Sequence, residues 1–71
     1  MKYKCVGGPM DGKEVETNGE SSLYFEALAS DAVHAYTLFG RINAPQAFIW
    51  QGLIPRVQIG KSEVIRRHPK V

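Results

Sequence analysis

The segment Cys5–Val15, with the sequence CVGGPMDGKEV, constrains this chain more than any other. Proline fixes its φ near the value that opens a type I turn, and it has no N–H to donate to a strand ladder. Asp11 can bond its own downstream backbone, and Gly12 can adopt positive φ. The segment therefore predicts a β-hairpin whose loop, Met10-Asp11-Gly12, has Gly12 in the left-handed conformation. The predicted turn residues are Gly8, Pro9, Asp11 and Gly12.

The same glycines also suggest a phosphate-binding loop. Gly7 and Gly12-Lys13 have the spacing of the G-x-x-x-x-G-K-[ST] motif, which opens a helix. Here Glu14 replaces the Ser or Thr, and Pro9 removes one amide. The segment that follows the motif is short and charged. A structural turn is therefore favoured over a nucleotide site, and no cofactor is expected.

The hairpin segment resembles a motif in short proteins of unknown function encoded by bacteriophages and prophages. The resemblance rests on Tyr3, on Val6–Gly12 and on Val15, together with Tyr36-Thr37-Leu38 and Phe48–Gly52, which are similar to the strand pair that closes such proteins. It covers about two thirds of the chain and stops before Leu53. It implies a genomic context and supplies no catalytic residues.

The remaining pattern predicts a mainly β fold, a small antiparallel sheet of four to five strands with at most one short helix. Residues 2–6 and 13–17 alternate in polarity, and 47–50 is an apolar run that Gly52 is expected to end. The segment 23–39 supports two interpretations. Alternation favours two strands separated by a break at Ser30-Asp31, whereas the spacing of Leu28, Ala32, Ala35 and Phe39 suits an α+β alternative with a helix in 22–35.

Length and composition predict one small domain spanning residues 1–71. A chain of 71 residues buries only roughly 60% of its unfolded surface, so an oligomer or a partner is a common source of further stability. Cys5 is the only cysteine, which excludes an internal disulfide and suits a reducing compartment. We expect no leader peptide, and no apolar run has the length of a membrane span, so a cytoplasmic protein without a membrane association is expected. The resemblance to phage proteins implies that the cell is a bacterial host.

The C-terminal residues 61–71 form a basic tail. They carry Lys61, Arg66, Arg67 and Lys70 against Glu63, whereas residues 1–60 hold five basic and six acidic side chains. A short helical turn capped by Ser62 is predicted over 63–66. The four positive charges form no coherent stripe, and no aromatic side chain lies among them. Nucleic-acid binding through the tail is therefore an alternative that we expect to fail, and the tail is expected to pack back on the sheet.

No residue pattern predicts an enzyme or a metal site. His34 and His68 are the only histidines, and neither has further ligands at zinc-site spacing, so His34 is expected at a strand surface or half-buried. A set drawn from Ser30, Asp31 and His34 is merely local in sequence, whereas a triad is assembled by the fold. Trp50 is expected in the core, with an interface role as the alternative.

Together with the resemblance to phage proteins, which implies a phage type and a host factor as partner, these observations predict an accessory protein that acts by binding another protein, without chemistry of its own. The possible protein-binding residues are Trp50, Arg66 and Arg67. Two alternatives remain open: a small virion or assembly component acting as a homo-oligomer, and a nucleic-acid-binding accessory protein that uses the basic tail.

Overall fold

A computed structural model describes residues 1–28, 31–40, 45–60 and 63–67. The described residues form six strands: β1 (Lys2–Val6), β2 (Glu14–Glu16), β3 (Ser22–Glu26), β4 (Ala32–Phe39), β5 (Ala47–Pro55) and β6 (Ile65–Arg66). Two 3-10 turns, Gly8–Met10 and Arg56–Gln58, are their only helical elements. The mainly β prediction is confirmed. The sheet has more strands than predicted, and the described residues contain no α-helix.

The six strands form one sheet in the order β2-β1-β5-β4-β3-β6. β1 pairs with β5 in parallel and β3 with β6 in parallel, whereas the other neighbours are antiparallel. The prediction of an antiparallel sheet is therefore wrong in detail. Parallel neighbours need a long connection between them, and both parallel pairs join segments that are distant in sequence, which local turn signals do not reveal.

The predicted hairpin is present, with a longer loop. The Cys5 N–H donates to the Lys13 carbonyl and the Gly12 N–H donates to the Cys5 carbonyl, both at 2.8 Å. Gly12 and Lys13 thus lie opposite the single residue Cys5, and Gly12 has φ +79°, which is a G1 bulge. The left-handed Gly12 is confirmed. Asp11 bonds upstream rather than downstream, because its Oδ1 accepts the Gly7 N–H at 2.8 Å.

The segment 22–39 folds as two paired strands, so the helical alternative is wrong. β3 and β4 pair from Ser22–Thr37 to Glu26–Val33. Leu23 and Phe25 are buried, whereas Leu28, which the helix would have placed on its apolar face, is fully exposed. Period-two alternation in β3 therefore describes this region correctly.

The core lies on the inner face of a curled sheet. Its buried members are Cys5, Met10, Val15, Leu23, Phe25, Tyr36 and Phe48. Two edge-to-face ring pairs contribute to it: Phe25 with Tyr36 at 5.5 Å and Tyr3 with Phe48 at 5.6 Å between ring centroids. Cys5 is buried, as expected, and burial raises the pKa of its thiol above the ordinary value. The sheet therefore encloses an apolar interior of large side chains.

The two outer strands of the sheet approach each other through Arg66. This residue lies opposite Phe25 in the β3–β6 register, and its Nη1 donates to the Glu16 carbonyl of β2 at 2.9 Å. Its Nη2 lies 3.8 Å from Glu20 Oε1. The helical turn predicted over 63–66 is wrong, because residues 65–66 pair with β3 as a strand; its proposed cap, Ser62, lies outside the described residues.

Candidate protein-binding surface

Trp50 lies at the edge of the core rather than inside it. It faces Tyr36 in the β4–β5 register and follows the buried Phe48 by two residues, so it belongs to the inner face. The residue is nevertheless 38% exposed, and the expectation of a core tryptophan is wrong. Met10, only 2% exposed, reaches from the hairpin loop into the core and occupies interior space there.

The hairpin loop lies directly against the indole. A Cβ atom at Gly8 would come within 2.6 Å of Trp50 Cγ and 2.7 Å of the Tyr36 hydroxyl, and one at Gly7 would lie 3.3 Å from Trp50 Cβ. Gly8 also has φ +63°, which side chains rarely adopt. The glycine pair therefore does more than loosen a strand end, because it lets the backbone touch the tryptophan.

The Tyr36 hydroxyl fixes the loop in this position. It donates to the Gly7 carbonyl at 2.7 Å and accepts the Met10 N–H at 3.0 Å. Tyr36 is fully buried, and burial raises the pKa of its phenol above the ordinary value. A core residue of β4 is thus joined by two hydrogen bonds to the loop that supports Trp50.

His34 contacts the nitrogen of the indole ring. The Trp50 Nε1–H donates to His34 Nδ1 at 3.1 Å, and the two ring centroids are 5.9 Å apart at an interplanar angle of 43°. His34 is half-buried, as expected for a strand-surface histidine. The indole is therefore held both by the loop backbone and by an imidazole nitrogen.

A bulge in β5 brings Leu53 to the same face. Tyr36 faces Trp50 whereas Ala35 faces Gly52, so Gln51 is an extra residue on β5. Beyond the bulge Leu53 lies opposite His34 and is 56% exposed. The strand, expected to end at Gly52, continues to Pro55. We call Pro9, His34, Trp50 and Leu53 the Trp50 surface.

A groove of about 420 Å³ adjoins the Trp50 surface. It is lined by Pro9, Glu26, Ala27, Leu28 and His34. Most of this lining is apolar, and Glu26 adds one carboxylate. Leu28 is fully exposed although it is large and apolar. The groove therefore extends the exposed apolar area on the loop side of the domain.

The arginines predicted as contact residues lie elsewhere. β4 and β3 separate β5, which carries Trp50, from β6, which carries Arg66. The Arg66 guanidinium is engaged with Glu16 and Glu20, and Arg67 is exposed. Hydrogen bonds from backbone amides of residues 20 and 18, and then the Arg66 charge, lower the pKa of Glu20. The structure therefore does not join the predicted residues into one surface.

A second apolar area lies on the outer face of the sheet. Val6 is paired with Ile49, and Ile49 with Thr37, across β1, β5 and β4. Phe39 lies near this row, opposite Ala47, and is 53% exposed; Val6 is 48% exposed. We call Val6, Thr37, Phe39, Ala47 and Ile49 the outer patch.

The described residues contain neither a metal-binding cluster nor a helix that could span a membrane. No group of three or more His, Cys, Asp or Glu side chains in the described ranges is arranged to hold a metal ion. Of the triad considered from sequence, Ser30 lies outside the described residues. None of the helical turns in the described part of the chain has the length or apolar character required to cross a bilayer.

The sequence predicted the turn residues and offered Trp50 as a possible contact residue, but it did not predict the association of Trp50 with His34 and Leu53. Period-two alternation assigns Trp50 and Leu53 to opposite faces, and only the extra residue Gln51 reverses this. A glutamine at position 51 does not by itself predict a bulge, although a glycine inside a strand, such as Gly52, often marks one.

Comparison with known proteins yields no relative. The chain matches no protein-family model, no curated protein and no solved structure at the significance such comparisons require.

Proposed function

We propose that this protein acts by binding another protein through the Trp50 surface, without chemistry of its own. The observation that carries the proposal is that Trp50 is held in position although part of it remains exposed. The only tryptophan of the chain is fixed by the Gly8 backbone and by His34, and yet 38% of it remains exposed. A core tryptophan would be covered, and a merely superficial one would not contact both the loop backbone and a neighbouring side chain.

The physical chemistry of interfaces favours this arrangement. Tryptophan is enriched among the few residues that carry most of the binding energy of an interface. A side chain already held in position loses less conformational freedom when a partner docks on it. Leu53 and the groove beside Pro9 add exposed apolar area around the indole, as expected around an anchor.

The kind of partner follows from the resemblance in the hairpin motif. Short phage and prophage proteins act inside a bacterial host, so we propose a host protein in the bacterial cytoplasm as the partner. This part of the proposal rests on the sequence resemblance, whereas the location of the surface rests on the geometry.

The experiment is affinity capture from a bacterial lysate with matched variants. Trp50→Ala and Leu53→Ser each alter the Trp50 surface, and Val57→Ser is the control because Val57 is 91% exposed and outside this surface. Proteins captured by the wild type and by Val57→Ser should be lost with Trp50→Ala and reduced with Leu53→Ser. We expect Trp50→Ala to weaken binding by at least about 2 kcal/mol, roughly thirty-fold, if Trp50 is an anchor. Equal capture by all four chains would refute the proposal.

A second candidate function is assembly of the chain with itself. The outer patch favours it, because Val6 and Phe39 are large, apolar and about half exposed on one face of a small sheet. Sedimentation velocity over a range of concentrations tests it. Association that is lost in Phe39→Ser and retained in Leu53→Ser supports assembly through the outer patch, and a monomer at the highest concentration excludes it.

A further inference from the structure

We propose that protonation of His34 releases Trp50 and thereby makes the Trp50 surface sensitive to pH. This inference rests on the proposed function for its biological meaning, but its structural part concerns the free protein alone. It would make partner binding tighter at neutral pH than in mildly acidic conditions.

The hydrogen bond between the two rings requires an unprotonated imidazole nitrogen. The indole N–H can only donate, so His34 Nδ1 must accept in the 3.1 Å contact. When a histidine is protonated, both of its ring nitrogens become donors. Two N–H groups would then point at each other, and the contact could not persist in its present geometry.

The surroundings decide how the indole responds. Movement toward the loop is blocked, because the Gly8 backbone leaves no space on that side of Trp50 for even one additional carbon atom. Movement of the side chain away from the loop is therefore favoured. An imidazolium also attracts the face of an indole and not its N–H edge. Both effects favour rotation of Trp50 away from its edge-on position beside His34.

Charged and titratable groups near His34 lie on the neighbouring strands and on the hairpin loop. Glu26, at the end of β3, lines the same groove, and the Tyr36 phenol of β4 is directed at the loop. Asp11 accepts a loop amide. From β5 the register neighbour is the uncharged Leu53. Glu26 is thus the carboxylate placed to favour the charged imidazole, since an opposite charge nearby stabilises the ionised form.

The consequence for binding follows from the preorganisation of the anchor. A released indole must be ordered again when a partner docks, which weakens binding. Histidine is the side chain that ordinarily changes its charge between pH 5 and 8, so the effect falls in a range that cells and their compartments reach. We expect the affinity for a partner to fall by up to about ten-fold across this interval, as the loss of one hydrogen bond would cause.

The test uses the indole N–H resonance of the isotope-labelled 71-residue chain, which contains one tryptophan. Its chemical shift should move in a single step as the pH falls from 8 to 5, together with a red shift of the fluorescence emission. The step should vanish in His34→Gln, whose side chain can accept the indole N–H but cannot titrate. It should persist in His68→Gln, and it should occur at lower pH in Glu26→Gln.

An indole resonance that does not change between pH 8 and 5, or a step that survives in His34→Gln, would overturn the inference. Amide spectra at pH 8 show whether each variant is folded, and a second non-titrating variant, His34→Asn, replaces His34→Gln if that chain unfolds. The resonance step and the capture experiment are independent. A step without Trp50-dependent capture would remove the proposed function and leave the switch, whereas Trp50-dependent capture without a step would remove the switch alone.

Discussion

The Tyr36 hydroxyl should contribute more to stability than any other single polar atom of the loop region. Tyr36→Phe removes its bonds to the Gly7 carbonyl and the Met10 N–H but keeps the ring, which packs edge-to-face on Phe25. Each bond contributes about 1 kcal/mol, and the Met10 N–H would be left buried without a partner, so we expect a loss of about 2 to 3 kcal/mol.

This loss is large for so short a chain. A domain of 71 residues has a free energy of unfolding of roughly 4 to 11 kcal/mol, and a loss of 2 kcal/mol lowers Tm by roughly 8 to 16 °C. Urea unfolding followed by circular dichroism should show a lower midpoint with an unchanged slope. Tyr24→Phe, on the half-buried face of β3, is the control and should change stability by less than about 0.5 kcal/mol. A loss below about 0.5 kcal/mol for Tyr36→Phe would refute the reasoning that this hydroxyl holds the loop.

Three further predictions follow from the same region and from the charges. Gly8→Ala should destabilise the chain by about 1 to 3 kcal/mol more than Gly12→Ala in urea unfolding, because both glycines have positive φ but only Gly8 lies against other atoms. Burial raises the pKa values of Cys5 and Tyr36 from 9.0 and 10.0, so their stabilising contribution is complete below these values. This contribution is lost as the pH rises through the folded-state pKa values. The urea midpoint should therefore fall above pH 9.0, and its decrease with pH should be less steep in Tyr36→Phe. Because Arg66 is engaged with the Glu16 carbonyl of β2, we expect no specific binding to duplex DNA or single-stranded RNA at physiological salt, measured by fluorescence anisotropy. Arg67→Ala should not alter this result. Tight binding that Arg67→Ala abolishes would contradict the prediction.

The parts of the fold that local patterns determine could be predicted from the sequence. The turn chemistry around Gly12 produced the hairpin and its left-handed glycine, and alternation at Leu23 and Phe25 identified β3. Burial of Val15 between two exposed glutamates followed from the same period. These features depend on a few neighbouring residues, which is why one sequence was sufficient.

The non-local features could not be predicted. The parallel pairing of β1 with β5 joins Cys5 to Phe48, and no residue near either one specifies the other. β6 is two residues long, too short for a periodic signal, and depends on pairing with Tyr24 and Phe25. A short apolar and basic segment that suited a helical turn became a strand because β3 offered it an unpaired edge.

The hairpin motif shows how one segment can serve the fold and the surface at once. Read locally, its glycines and proline only reverse the chain, and that role would permit many loop sequences. In the folded protein Met10 completes the core, Gly7 and Gly8 contact Trp50, and the loop is held by Tyr36. A loop needed only for reversal would not require a glycine in contact with an exposed tryptophan. The exposure of that tryptophan, in a chain with little apolar surface to spare, is a departure from the most stable arrangement, and such departures are expected where a protein has a function to perform.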